Sequence, residues 1–147
     1  MFAHTEVFSN GRWQNVGGAV IDATYAPVLA RLAGVCNTAG LTPLADPRGL
    51  PTDHTYQVHC ARYMPGHTGA DPRVTSWFTL AELRDEDWAR FCEAHRLGSD
   101  FVQVIDRMIG AAAAADDARL VFWFGDADHP YTIADLERDS NRASQPV

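Results

Sequence analysis

The chain has 147 residues, 46% hydrophobic and 21% charged, which suits one globular domain with a core of its own. Its formal net charge of −7 argues against a basic surface for a nucleic-acid polymer. No apolar run approaches the roughly 20 residues that span a bilayer, and "MFAHTEVF" lacks the basic and apolar blocks of a secretory leader, so a cytoplasmic protein without a membrane partner is expected.

"HTEVF", "SNG" and "RWQNV" predict a hairpin, because two alternating runs flank an Asn-Gly turn signal. In "VGGAVI", Gly17 and Gly18 permit a sharp change of direction. "YAPVLARLAGV" predicts a helix, with Tyr25, Val28, Leu29, Leu32 and Ala33 on one face, Pro27 in its first turn and Gly34 at its end. Residues 37–73 carry five prolines and little periodicity, the mark of a functional loop or of elements that are hard to recognise. "TYQVHCARYM" within it reads as a short strand or a short helix.

Thr79 and Glu82 form a capping-box pair, with Phe78 and Leu83 as a hydrophobic staple. Asp85 is expected to cap a short helix carrying Trp88, Phe91 and Cys92. Ser99 is expected to cap a longer one, with Phe101, Val104, Ile105, Met108 and Ile109 as its stripe, running towards residue 115. "ARLVFWFGD" predicts a strand buried on both faces, and "TIADLERD" one more helix. The expected fold is α+β: a small, mainly antiparallel sheet with helices packed on one face. "RLVFWF" pairs beside the hairpin to form the sheet centre. Residues 1–139 make a single domain and 140–147 a frayed tail.

Cys36, Cys60 and Cys92 are odd in number and widely spaced, which fits reduced thiols. The chain has no lysine, so every cationic side chain apart from histidine is arginine, whose planar fork suits phosphates. Residues 40–79 balance Asp46, Asp53 and Asp71 against Arg48, Arg62 and Arg73, so the whole −7 lies outside this segment.

The blocks "HTEVFSNGRWQNV", "YAPVLARLAGVCN", "PRGLP", "SWFTLAEL" and "RLVFWF" follow one another in an order that resembles a family of small bacteriophage and prophage proteins. The resemblance covers roughly residues 3–125. It departs from the family pattern at Ala23, Thr24 and Cys36, and in "GADPRV" between His67 and Ser76. It implies a phage-type anti-defence protein. Such a protein binds and sequesters a small anionic cyclic nucleotide without cleaving it, as the sponges that counter CBASS or Thoeris signalling do.

A nucleotide site needs arginine forks, an aromatic face and polar groups for base edges. Tyr25, Arg48, His67, Arg73, Ser76 and Trp77 supply those types. Gly49 allows a turn that presents Arg48 outward, where its loss would change stability little. The plainer reading makes Tyr25 and Trp77 core, Arg48 a solvated turn residue and Ser76 a neighbour of the cap.

His54, His59, Cys60 and His67 form H-x4-H-C-x6-H, types that suit zinc at a spacing that matches no standard finger, so no metal and no cofactor are expected. No pair of H-x-[ST] motifs marks a two-histidine phosphodiesterase, and His4 with Glu6 on one strand face is the remaining acid–base pair. The expectation is therefore a non-enzymatic nucleotide binder, homodimeric because its apolar surface exceeds what a small sheet covers. The alternatives are an inhibitor that meets a host protein through exposed Trp and Phe, and a small His- or metal-dependent hydrolase.

Overall fold

The computed structural model describes residues 2–21, 25–34, 37–63 and 75–123; "TIADLERD" and the tail over 140–147 lie outside them. Four strands, β1 (Phe2–Ser9), β2 (Arg12–Val20), β3 (Thr75–Thr79) and β4 (Asp117–Trp123), form an antiparallel sheet in the order β2-β1-β4-β3. Five helices accompany it: α1 (Ala26–Ala33), α2 (Tyr56–Tyr63), α3 (Leu80–Arg84), α4 (Trp88–Ala94) and α5 (Asp100–Ala112). The α+β expectation holds, and β4 pairs with β1 at the sheet centre as "RLVFWF" predicted.

Local chemistry accounts for the element ends. Asn10 (φ 54) and Gly11 (φ 77) both take left-handed backbone, which a two-residue hairpin turn requires. Gly34 ends α1 at φ 73, its N–H donating to the Ala30 carbonyl. The Thr79–Glu82 capping box opens α3. The cap of α4 is Asp87, not Asp85: the Asp87 carboxylate accepts from the Arg90 N–H, while Asp85 closes α3. Ser99 stands at the start of α5 without capping it through its side chain, and its hydroxyl accepts from Gln103 Nε2 instead. That helix ends at Ala112, short of residue 115.

The sheet has two covered faces. On the first, Ala3, Val7, Phe78, Ala118, Leu120 and Phe122 meet α1, α3, α4 and α5 through Leu29, Leu32, Leu83, Trp88, Phe101 and Met108. On the second, Val121 and Trp123 pack against Val58 of α2, with Phe2, Leu50, Ala61 and Trp77 around them. Both faces of β4 are therefore covered, and all residues from Ala118 to Trp123 are buried. The expectation of helices on one face omitted α2, which resolves the ambiguous "TYQVHCARYM" as a helix on the opposite side.

Gly17 does not turn the chain. Thr5 pairs with Gly17 and Glu6 with Asn15, so Val16 is an extra residue, and a bulge interrupts β2. Gly17 sits at φ 153, a conformation that few other residues adopt, and its N–H donates to Asn15 Oδ1 at 3.2 Å. The bulge blunts this edge of the sheet. The opposite edge, β3, is covered by the loop: Gly49 N–H donates to the Thr75 carbonyl at 2.9 Å and Arg48 Nη1 to the Trp77 carbonyl at 3.1 Å.

Candidate functional site

The bulge decides what the second face carries. Side chains alternate along a strand, and one extra residue reverses that alternation beyond it. Ala19 packs towards the first face, yet Asn15 and Trp13, an even number of residues further along, reach groups on the second. They join His4 and Glu6 of β1 and Arg119 of β4.

Glu6 and Arg119 are 0% and 3% exposed and meet with Arg119 Nε donating to Glu6 Oε2 at 2.6 Å. The other carboxylate oxygen accepts from the Thr55 N–H at 2.8 Å. Arg119 Nη1 donates to Asp53 Oδ1 at 2.6 Å and Nη2 to the Asp53 carbonyl at 3.1 Å. Trp13 lies 3.8 Å from the guanidinium carbon, and its indole N–H donates to Asp53 Oδ2 at 2.8 Å. Hydrogen bonding from Arg119, with its charge and the Trp13 bond in support, holds the Asp53 carboxyl below its usual range. Burying two charges is costly unless their polar atoms are satisfied, and here each is met. The loop thus stands fixed on the sheet by residues 53 and 55.

Arg48 fastens the other end of the same loop. Its Nη2 and Nη1 donate to the two oxygens of Glu82 at 2.6 and 3.0 Å, and its guanidinium carbon lies 5.0 Å from the Trp77 ring and 4.6 Å from the Phe78 ring. The Arg48 fork and the Thr79 cap lower the Glu82 pKa to about 2. Upstream, Leu44 N–H donates to the Arg31 carbonyl at 2.8 Å, and Arg31 pairs with Glu86 at 2.7 Å. Residues 44–55 are tied at several points despite their lack of periodicity.

What the fastened loop turns outward is a phenol and two imidazoles. Tyr56 is 78% exposed, and the hydrogen bond between its side chain and Cys60 raises the phenol pKa. His54 Nδ1 lies 2.6 Å from the Pro51 carbonyl, and His54 Nε2 lies 3.3 Å from His59 Nδ1. Val58 and Arg62 anchor α2 beneath them, the latter donating from Nε to Thr75 Oγ1 at 3.2 Å.

Of the six residues expected to bind ligand, three come together. The Ser76 hydroxyl is buried and accepts from the Arg48 N–H at 3.0 Å, and half-buried Trp77 flanks the Arg48 fork. Arg48 lies at the surface with its side chain 29% exposed, and its guanidinium is already engaged by Glu82, the Trp77 carbonyl and two rings. Tyr25 is separate from them: it is buried in the first-face core, where its hydroxyl accepts from the Asp100 N–H at 3.1 Å. His67 and Arg73 lie outside the described residues. His4 and Glu6 share a face as expected, but Glu6 is buried against Arg119 while His4 stacks on Trp123 at 5.4 Å and meets Asn15 at 3.0 Å.

Sequence reasoning missed the Glu6–Arg119–Asp53 triad. Its only signals were an acid inside an alternating strand and an arginine entering an apolar one. The described Trp and Phe side chains are buried or half-buried, and the exposed large apolar side chains among the described residues are Val16, Tyr56 and Ile109. A cleft of about 90 Å³ lies between Gly17, Gly18 and α5, well below the roughly 300 Å³ of small ligand pockets. Among the described residues no group of three or more His, Cys, Asp or Glu converges as a metal site, and no helix is long and apolar enough to cross a membrane. No family model, curated protein or solved structure matches the chain.

Proposed function

We propose that the protein is a non-enzymatic binder that sequesters a small anionic nucleotide of the cyclic class, and that residues 46–63 carry the contact. The observation that supports this reading most is the double fastening of the loop by Arg119 and Arg48, with Tyr56 left exposed above it. A loop ordered before the ligand arrives loses little freedom on binding. An exposed phenol offers a stacking face for a base, and imidazoles donate to phosphate oxygens. Arg48 serves this site by positioning the loop.

Sequestration works by mass action, since tight binding lowers the free signal. The expected assembly is a homodimer formed away from the sheet edges, both of which are blunted. Light scattering at micromolar concentration checks this, and the monomer mass of 16.2 kDa would contradict it. The function is tested by incubating the protein with cyclic di- and trinucleotides and cyclic ADP-ribose isomers, then heating. Release of an unchanged nucleotide supports the reading. An altered product means an enzyme, and no uptake points to a protein partner.

A further inference from the structure

The Pro51 carbonyl oxygen can only accept a hydrogen bond, so the proton of a neutral His54 ring sits on Nδ1, 2.6 Å away. The Nε2 lone pair then faces His59 Nδ1 at 3.3 Å. A ring N–H held by a backbone carbonyl is the outer arrangement that metal-bound histidines use to fix their tautomer. Two imidazole nitrogens bound to one tetrahedral zinc-like ion, each about 2.0–2.1 Å from it, stand about 3.3 Å apart. The two nitrogens, now joined by a hydrogen bond, thus stand at the separation that one ion requires, and an ion would replace the proton between them.

We propose that His54 and His59 form a site for a divalent transition-metal ion that prefers imidazole, with water or an anion completing its coordination. The two residues flanking His54 are locked, Asp53 by Arg119 and Thr55 by Glu6, so the first ligand is preorganised. The second sits on α2, where its backbone N–H donates to the Thr55 carbonyl at 3.0 Å. On binding, His59 takes its other tautomer, with the proton on Nε2. The proposed site excludes Cys60, because it adjoins His59 on α2 and neighbouring positions on a helix do not face one another. The sequence spacing matches no standard motif because the site has two protein ligands and a carbonyl that fixes one of them. The two imidazoles are those assigned above to phosphate contact, and titration with metal alone tests the site whether or not a nucleotide binds.

The test is calorimetric titration of tag-free, chelator-stripped full chain with Zn²⁺, with Cu²⁺ and with Mg²⁺. His54→Gln, His59→Gln and Cys60→Ser are compared, each with a melting curve. The expected result is one equivalent of Zn²⁺ or Cu²⁺ bound by the wild type and by Cys60→Ser. Affinity falls at least about tenfold in either histidine variant. Mg²⁺, which selects oxygen ligands, does not bind. His59→Gln alters an exposed helical position and keeps the test valid if His54→Gln loosens the loop. Absence of Zn²⁺ and Cu²⁺ binding, unchanged affinity in the folded histidine variants, or loss of binding with Cys60→Ser alone would overturn the proposal.

Discussion

Arg119 and Glu6 are joined at 2.6 Å on the buried second face of the sheet, and through them the irregular middle of the chain is fixed to its regular part. Arg119 reaches the Asp53 side chain and carbonyl, and Glu6 accepts the Thr55 N–H. Neither link is local, since Arg119 is 66 residues from Asp53 and Glu6 is 49 from Thr55.

Removing one member of this pair leaves the other buried and unpaired. Arg119→Ala is expected to lose about 3–5 kcal/mol of stability in chemical denaturation. Glu6→Leu combined with Arg119→Met should be less destabilised than Arg119→Ala, because no lone charge remains buried. A loss below about 1 kcal/mol for Arg119→Ala would mean that the pair is solvated.

Arg48→Ala is expected to cost about 1–2 kcal/mol, from one partly exposed ion pair and its contacts with two rings. This reverses the expectation for a turn arginine. Arg48→Lys should recover part of the loss, since an ammonium cannot match the two Glu82 oxygens at once. Unchanged unfolding in Arg48→Ala would show that the loop is held without it.

Glu82 gives a pH dependence. Its carboxyl is held at about 2 against an ordinary 4.5, so its contribution is present above about 4.5 and is lost as pH falls towards 2. Glu82→Gln lacks that contribution at every pH. The stability gap between wild type and Glu82→Gln should therefore be widest near neutrality and shrink through this window. A gap that stays constant down to pH 2 would contradict the assignment.

Gly17→Ala is expected to lose about 1–3 kcal/mol, because φ 153 strains any residue with a Cβ even where space is open. The loss should come with a changed environment for Trp13, whose place on the second face depends on the bulge. Tryptophan fluorescence and a denaturation curve check both effects, and an unchanged midpoint would contradict the role given to the glycine.

Much of the fold was legible because its signals are local. Asn10-Gly11 fixes the hairpin turn, Thr79 with Glu82 fixes the start of α3, and the unbroken run from Leu120 to Trp123 marks a strand covered on both faces. The bulge was not legible, because adjacent glycines signal a turn as readily as a register shift. Helix α2 has Val58 and Ala61 on its packed side, too few apolar positions in eight residues to declare a period. For the site, the sequence drew attention to the segment and did not show how Arg48 is held within it. An arginine in "PRGLP" gives no sign of whether its fork meets solvent or a glutamate 34 positions away. Tyr25 was aromatic and near a loop, and only tertiary packing shows that its hydroxyl serves α5.

The most direct test of the account is a calorimetric titration of wild type and Tyr56→Ala with each nucleotide of the cyclic panel, alongside melting curves of both. The account predicts that one member binds the wild type. Tyr56→Ala should weaken that binding by about 1–3 kcal/mol, the worth of a base stacked on an aromatic ring, without moving the melting curve. No binding by any member, or binding that Tyr56→Ala leaves unchanged, would contradict the claim that residues 46–63 form the ligand-facing surface.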